Sequence, residues 1–593
     1  MKRWLAIVLC AVLALASLSG CAGNSGDAQE PGGEDAGEPF VLSVRATQAA
    51  SDLDPARAAA SSTETITYHL FENLLRWEDD GSGGAVLANG MASDYTVVQN
   101  TDNSTTYTFT IRSDAKWSDG ESVTAGDFVY GWQRLFGMEN PPGTIHQLYM
   151  VEGFDQAWAN RDGSLLSGVY AEDDHTLVIK ITDQCAYFLD TFCAGTLTMP
   201  VRQDIVEQYG AAWGTEAASI VTNGPYTVQS MGADGIVLEK SETYYNAALV
   251  KADEIDFSWL GDEETSYQEL LDGTQDFVVG LPEAEIAARS EAETLIVEAE
   301  PATYALLLNN LTAPFDNAAV RQAFAACIDT EELTAAAEDA TITAATGFVP
   351  HGVVNRDDQW EDGEQQETDS VQLPEDLLNG ESETEETVWD FRAVGDASLS
   401  QTETTQAERA AAAQEYLSQA GYPNGRDFPA VTYLYEDTPE NQAIAAYLQN
   451  LWQEMLHVTV TLQPLTDADL RTQLLSGEFT MAAFRFDAAY DDATAFLNRW
   501  DSEAGAIGGN LIGFNDRAYD LLLYVVPETA SNTAREACLH DAEQILLSGC
   551  GVVPLFYYGR TSQLAEGLTG VYGLSDGTYF FWNVGPESAQ AGA

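Results

Sequence analysis

The sequence predicts an α/β protein divided into two or three subdomains, and three observations carry that expectation. From Asn317 onward, Ala-rich helical stretches at 318–327, 405–420 and 440–456 alternate with strands such as Val458-Thr-Val-Thr-Leu462, a pattern that layers helices on a sheet. Between Phe40 and Lys180, short runs alternate polar and apolar residues with the period of two that marks a half-buried strand. The chain has 593 residues, and a single hydrophobic core stops growing near about 250–300 residues.

Taken in order, Lys2 and Arg3 precede an apolar run from Trp4 to Leu18, too short to span a bilayer permanently and laid out as a secretory signal over residues 1–20. The run ends in Leu18-Ser19-Gly20-Cys21, which resembles a bacterial lipobox. That resemblance implies cleavage before Cys21 and a diacylglyceryl group on its thiol; the plainer reading is a signal peptide that contains a cysteine. Residues 21–39 are rich in Gly, Asp, Glu and Pro and bury too little apolar surface to offset their ordering entropy, so they are expected to be a flexible tether. No later stretch approaches the roughly 20 apolar residues of a membrane helix. The expected location is the cell envelope, on the outer face of the cytoplasmic membrane or in the periplasm, with lipid as the only membrane attachment.

The 94 acidic residues against 25 basic ones give a formal charge of -69, which repels nucleic acid and anionic lipid and excludes nucleic-acid binding. Acidic side chains keep an exposed protein soluble; attraction of cationic ligands is their second use. Beyond Cys10 and Cys21 there are Cys185, Cys193, Cys327, Cys538 and Cys550, too few for a disulfide scaffold. Spacing allows Cys185 to pair with Cys193, or Cys538 with Cys550, and an odd count leaves at least one thiol outside such pairs. No Cys-x-x-Cys spacing suggests zinc, and no metal or cofactor is expected.

The clearest strands are Thr106-Tyr-Thr-Phe-Thr-Ile-Arg112 and Thr176-Leu-Val-Ile-Lys-Ile181. Between them 124–135 is expected to be a helix, because Phe128, Trp132 and Leu135 recur at i, i+4 and i+7, the spacing of one buried face. Residues 355–406 form a Glu/Gln/Thr/Ser-rich tract of low hydrophobicity, expected to be a partly disordered surface insertion. Residues 586–593 are expected to be a loose tail.

Several phrases stand in order along nearly the whole chain: Leu53-Asp54-Pro55, Leu70-Phe-Glu-Asn-Leu-Leu75, Tyr107-Thr-Phe-Thr-Ile-Arg112, Ala115-Lys-Trp-Ser-Asp-Gly120 and Val123-Thr-Ala-Gly-Asp-Phe-Val-Tyr130. Asp173-Asp-His-Thr-Leu177, Thr222-Asn-Gly-Pro-Tyr226, Phe315-Asp-Asn-Ala-Ala-Val-Arg-Gln-Ala323 and Val553-Pro-Leu-Phe-Tyr557 follow. The ordered set resembles bacterial extracellular solute-binding proteins of family 5, the oligopeptide- and dipeptide-binding proteins of ABC importers. Within these phrases Trp117, Asp119, Gly120, Asn223, Gly224 and Arg321 are read as setting turns and packing rather than touching ligand.

The resemblance implies a two-lobed type II periplasmic-binding-protein-like fold with an extra subdomain in the first lobe. By that analogy the first lobe combines 40–76, 200–302 and 562–593, the extra subdomain is 77–199, and the second lobe is 303–561. It also implies an extended peptide held by its backbone between the lobes, with ABC-transporter permease subunits as partners of a monomeric receptor.

A peptide's α-ammonium needs a carboxylate, and the family keeps one directly before the tyrosine of the segment that resembles Phe484-Arg-Phe-Asp-Ala-Ala-Tyr-Asp-Asp-Ala-Thr-Ala-Phe-Leu-Asn498. Here Ala489 stands in that place. On a strand Asp487 would share a face with Ala489 and could take over the role. Asp487, Asp491 and Asp492 have the alternative of capping or solvating a loop. Phe486, Tyr490 and Tyr304 are candidate pocket walls, while the helical spacing around Trp452 reads as core.

No enzyme is expected: there is no Gly-x-Ser-x-Gly elbow, no His-Glu-x-x-His and no phosphate-binding Gly-rich loop, and the 6 histidines are scattered. Two alternatives stay open on the same fold, an oligosaccharide-binding receptor and a surface adhesin or sensor uncoupled from transport.

Overall fold

A computed structural model describes residues 39–353 and 405–587, apart from 59, 82, 183–184, 260, 293–294, 338, 506–508 and 526–531. The expected signal at 1–20, Cys21 and its tether up to 38, nearly all of the insertion at 355–406 and residues 588–593 of the tail lie outside the described residues.

In chain order, β1 (Val41–Ala46) belongs to a six-stranded sheet that the chain leaves and later rejoins. β2 (Leu75–Asp79) and β3 (Ala85–Asn89) form a hairpin. β4 (Ala92–Gln99), β5 (Thr105–Ile111), β6 (Val169–Asp173) and β7 (Thr176–Ile181) make an antiparallel sheet in the order β4-β5-β7-β6. β8 (Tyr226–Met231), β9 (Gly235–Lys240), β10 (Glu254–Trp259) and β11 (Phe277–Val279) return to the first sheet, where β10 and β11 flank β1 in parallel.

β12 (Glu298–Leu308) then leads into a second six-stranded sheet with β13 (Thr343–Ala344), β14 (Val431–Glu436), β15 (Val460–Leu465), β16 (Met481–Asp487) and β17 (Val552–Arg560). Its order is β13-β17-β12-β16-β14-β15. β17 leads back, and β18 (Ser562–Leu564) pairs with β11 in the first sheet. The antiparallel pair β12 and β17 therefore joins the two lobes. Its ladder is interrupted between Ala299 and Thr303, and such an irregularity lets paired strands bend.

Alternate residues of β12 serve two cores. Ala305 and Leu307 pack with Phe348, Phe496 and Trp500 on one face, while Tyr304, Leu306 and Leu308 pack with Phe324 and Trp452 on the other. Burial on both faces explains the unbroken apolar run Ala305-Leu-Leu-Leu308. In the first lobe a single core joins Phe109 and Trp132 of the four-stranded subdomain to Phe257 and Phe581 of the six-stranded sheet.

The expected elements form within one to three residues of their predicted ends. The helix Ala125–Gly137 starts with a reciprocal cap between Thr124 and Asp127 and buries Phe128, Trp132 and Leu135 completely. Thr405 and Thr438 cap the helices Gln406–Gln419 and Pro439–Leu456, and the strand expected from Val458 begins at Val460. Trp452 is core, donating its indole N–H to the Phe324 carbonyl at 3.0 Å. The residues read as turn and packing positions hold those roles. Gly120 has φ of +94° in a turn closed onto Trp117, Asn223 exchanges hydrogen bonds with the Glu72 backbone at 3.1 and 2.8 Å, and Arg321 holds the Gly549 and Phe315 carbonyls. A Cβ on Gly224 would lie 2.6 Å from the Leu70 carbonyl carbon. The five described cysteines are free thiols, so neither pairing that the spacing allowed is made. Among the described residues no helix is long and apolar enough to cross a membrane.

Candidate functional site

Because both sheets are covered on their faces, the side chains that meet between the lobes come from places where strands end. The C-terminal end of β1 supplies Arg45 and Thr47, the start of β12 Glu300 and Pro301, and the end of β16 with its following loop Arg485, Asp487, Ala488 and Tyr490. The end of β17 supplies Arg560, and the turn around Asp576 faces them. They enclose a larger chamber of about 370 Å³ and a smaller one of about 190 Å³, and Pro301, Ala488 and Asp576 border both. The divide is fixed by a hydrogen bond from Ala488 N to the Pro301 carbonyl at 2.9 Å.

The larger chamber is charge-balanced, with Arg45, Arg485 and Arg560 against Glu300, Asp487 and Asp576. Arg485 donates to Asp487 Oδ1 at 2.8 Å and to Glu300 at 2.7 Å, with its guanidinium 4.1 Å from the centre of the Tyr558 ring. Arg560 donates to Glu298 at 3.2 Å, and Tyr579 donates to the same carboxylate at 2.5 Å. Acids and bases of the crossing strands are thus tied to groups of both lobes. Asp487 stays 54% exposed, and among the described residues its Oδ2 accepts no hydrogen bond.

The smaller chamber is acidic. Glu64 on the helix Ser61–Leu70, Asp190 in the turn Leu189–Cys193, Asp491 after β16 and Asp576 line it, and none of its lining residues is Lys, Arg or His. Tyr68, Trp77, Phe192 and Tyr490 supply aromatic surface. Among the described residues, Glu64 receives one long hydrogen bond, from Thr578 at 3.4 Å, and Asp190 has neither a hydrogen bond nor an ion pair. Burial, followed by repulsion from Asp576, pushes the Glu64 carboxyl up to about 8, and burial, followed by repulsion from Asp492, raises Asp190.

A measurable consequence follows for stability. Glu64 holds its proton more tightly in the folded chain than at the ordinary value of 4.5, so stability is full below that value and falls as pH rises towards about 8. Glu64→Gln should flatten this fall in urea-unfolding midpoints followed across the window. An unchanged slope in the variant would assign the titration to another group.

The four-stranded subdomain reaches across to the second lobe. Tyr187 stacks on Tyr490 with ring centres 4.1 Å apart, and Gln147 donates to the Ala489 carbonyl at 3.5 Å.

Of the residues singled out in the sequence, Asp487 borders the larger chamber, and Tyr490 and Asp491 border the smaller. Tyr304 and Phe486, expected as pocket walls, are core residues instead. Each is 2% exposed, because Phe486 packs into the core on one face of the second sheet and Tyr304 into the core on the other. The face-sharing of Asp487 and Ala489 also fails, since β16 ends at Asp487 and Ala489 turns to the smaller chamber. Asp492 is no solvated loop acid: it is fully buried, bonded by Arg535 at 2.9 and 2.8 Å, and caps the Thr494 N–H at 2.9 Å. Glu64, Asp190, Glu300, Arg485 and Arg560 were missed. Only Glu298 and Glu300 carried a signal, two acids on one face of an otherwise apolar strand.

Two α/β lobes joined by a bending strand pair, with a polar cleft between them, define a solute-binding protein. Residues 86–508 match the family described as bacterial extracellular solute-binding proteins, family 5 Middle, and the chain belongs to that family. It is 27% identical over 538 residues to the periplasmic oligopeptide-binding protein OppA of Escherichia coli strain K12, covering 89% of each chain. It is 25% identical over 589 residues to the oligopeptide-binding protein OppA of Bacillus subtilis strain 168, covering 98% of this chain and 99% of that one. The unliganded open form of the periplasmic murein tripeptide binding protein MppA shares the fold, with a TM-score of 0.71 at 24% identity over 91% of this chain and 95% of that one.

Proposed function

We propose that this chain is an extracellular, lipid-anchored receptor that binds peptides between its lobes and delivers them to an ABC importer. The observation that carries the reading is the interlobe cleft, whose larger chamber sets three guanidinium groups against three carboxylates and so matches a ligand with both an ammonium and a carboxylate. The similarity to oligopeptide-binding proteins over nearly full length supports the same ligand class. In this reading the peptide's α-ammonium bonds to Asp487 Oδ2, the oxygen that Arg485 leaves without a hydrogen bond. The first lobe combines 40–76, 200–302 and 562–593 with 77–199 as its extra subdomain, 303–561 forms the second, and each receptor works as a monomer attached through Cys21.

Mass spectrometry of protein extracted from bacterial membranes tests both parts. Denaturation should release a mixture of short peptides, and the mature N-terminus should be Cys21 carrying diacylglycerol. Released oligosaccharides would replace the peptide reading with a sugar receptor. An unmodified N-terminus would remove the anchor.

A further inference from the structure

The lobes are joined by β12 and β17, yet the four-stranded subdomain of the first lobe also touches the second lobe directly. Tyr187, in the segment after β7, stacks on Tyr490 with ring centres 4.1 Å apart and planes 22° from parallel. Gln147, in the short helix Gly143–Met150, donates to the Ala489 carbonyl at 3.5 Å. We infer that these contacts form a clasp that holds the lobes together before any ligand is present, with Tyr187 as the residue that sets how readily the cleft opens. The clasp goes beyond the peptide-binding reading, because it acts on the empty protein whatever the ligand is.

Both halves of the clasp are built to keep their rings in place. On the second lobe, Tyr490 stands two residues before Asp492, whose buried carboxylate is bonded by Arg535 at 2.9 and 2.8 Å. The Asp492 N–H donates to the Tyr490 carbonyl at 2.9 Å, and the Tyr490 and Thr494 hydroxyls lie 3.2 Å apart. On the four-stranded subdomain, the Tyr187 carbonyl accepts from Thr191 N at 3.0 Å. The next residue, Phe188, is fully buried and stacks on Tyr107 with ring centres 4.5 Å apart. Gln147 is likewise followed by a fully buried residue, Leu148. Rings anchored on both sides lose little freedom when they meet, so ordering does not offset the contact.

The placement makes the contact sensitive to the hinge. Pro301 on β12 borders the smaller chamber, and Gln147, Ala489 and Tyr490 border the same chamber. The ladder of β12 and β17 is interrupted between Ala299 and Thr303, where the pair can bend. Bending that widens the chamber draws the four-stranded subdomain away from the second lobe and parts the rings. Tyr187 and Tyr490 are both half-buried while stacked, so parting them also returns ring surface to water. A stacked aromatic pair is strong enough to shift a balance between closed and open arrangements about two- to tenfold toward closed.

X-ray scattering from protein dialysed free of ligand tests the clasp. Tyr187→Ala should increase the radius of gyration as the closed-to-open ratio falls about two- to tenfold. Tyr187→Phe keeps the ring and should retain the wild-type radius. Tyr490→Ala cuts the same contact from the other lobe, so the two alanine changes together should expand the protein no further than either alone. Local disruption at two unrelated places would add instead. Three results would each overturn the clasp: a Tyr187→Ala protein with the wild-type radius, alanine changes whose expansions add, or a Tyr187→Phe protein as expanded as Tyr187→Ala. None of these measurements uses a ligand, so a failure of the clasp and a failure of the peptide reading are told apart.

Discussion

Asp492→Ala is expected to destabilise the protein by about 3–5 kcal/mol, the cost of breaking a buried ion pair from one side. Asp492 is 0% exposed and Arg535 is 7% exposed at the side chain, and the two make a two-pronged contact at 2.9 and 2.8 Å. The same carboxylate accepts from Thr494 N at 2.9 Å and from its hydroxyl at 2.6 Å, starting the short helix Thr494–Leu497. Alanine would leave a guanidinium buried without its counter-charge and the helix without its cap. Denaturant unfolding measures the loss. Because replacing both partners of a buried pair with apolar residues is often close to neutral, Asp492→Ala combined with Arg535→Met should be more stable than Asp492→Ala alone. A single variant as stable as wild type would mean that the pair is open to water in solution. The effect reaches function as well, since Tyr490 and Asp491 of the smaller chamber directly precede this anchor.

Asp487→Asn is expected to weaken peptide binding by about ten- to a hundredfold, the worth of a charge-assisted hydrogen bond. A fully buried carboxylate would cost more to remove. Asp487 is 54% exposed and already shares Oδ1 with Arg485, so water screens the pair and Arg485 keeps Glu300 as a second partner when Asp487 is neutralised. Acetylating the peptide's amine should cost a similar factor with wild-type protein and little more with Asp487→Asn, because the two changes remove the same contact. Acetylated and free peptides that bind the wild type equally well would show that no carboxylate anchors the amine. Asp492, as a buried structural residue, is unsuitable as a control; Asp491→Asn changes a carboxylate of the neighbouring chamber and is the better comparison.

Much of the fold was legible in the chain because local patterns repeat. The spacing of Phe128, Trp132 and Leu135 gives a helix with one buried face whatever lies opposite it, and Thr405 and Thr438 start the helices that follow them by capping. The charge of -69 sets the expectation against nucleic acid without reference to structure.

The site was legible only in part. Asp487, Tyr490 and Asp491 fall in one segment with a recognisable pattern, and the structure places all three at the walls of the cleft. Tyr304 and Phe486 were misread because an aromatic residue on a strand looks the same whether its face meets a cleft or a helix layer. Asp492 makes the cap that was its alternative reading, to the Thr494 N–H, but its burial had no local sign because its counter-charge, Arg535, lies 43 residues further on.

What the sequence by itself determined is the class of secondary structure, the division into more than one core and the family, since periodicity, length and ordered short motifs are properties of neighbouring residues. Tertiary structure alone decided which acids share a chamber. Glu64, Asp190, Asp491 and Asp576 are scattered along the chain and meet only where three parts of the fold converge. Arg485 and Asp487, two residues apart, pair with each other because a strand places both on one face. Whether a carboxylate is solvated, paired or left facing other acids depends on which segments the fold brings together, and no local pattern carries that information.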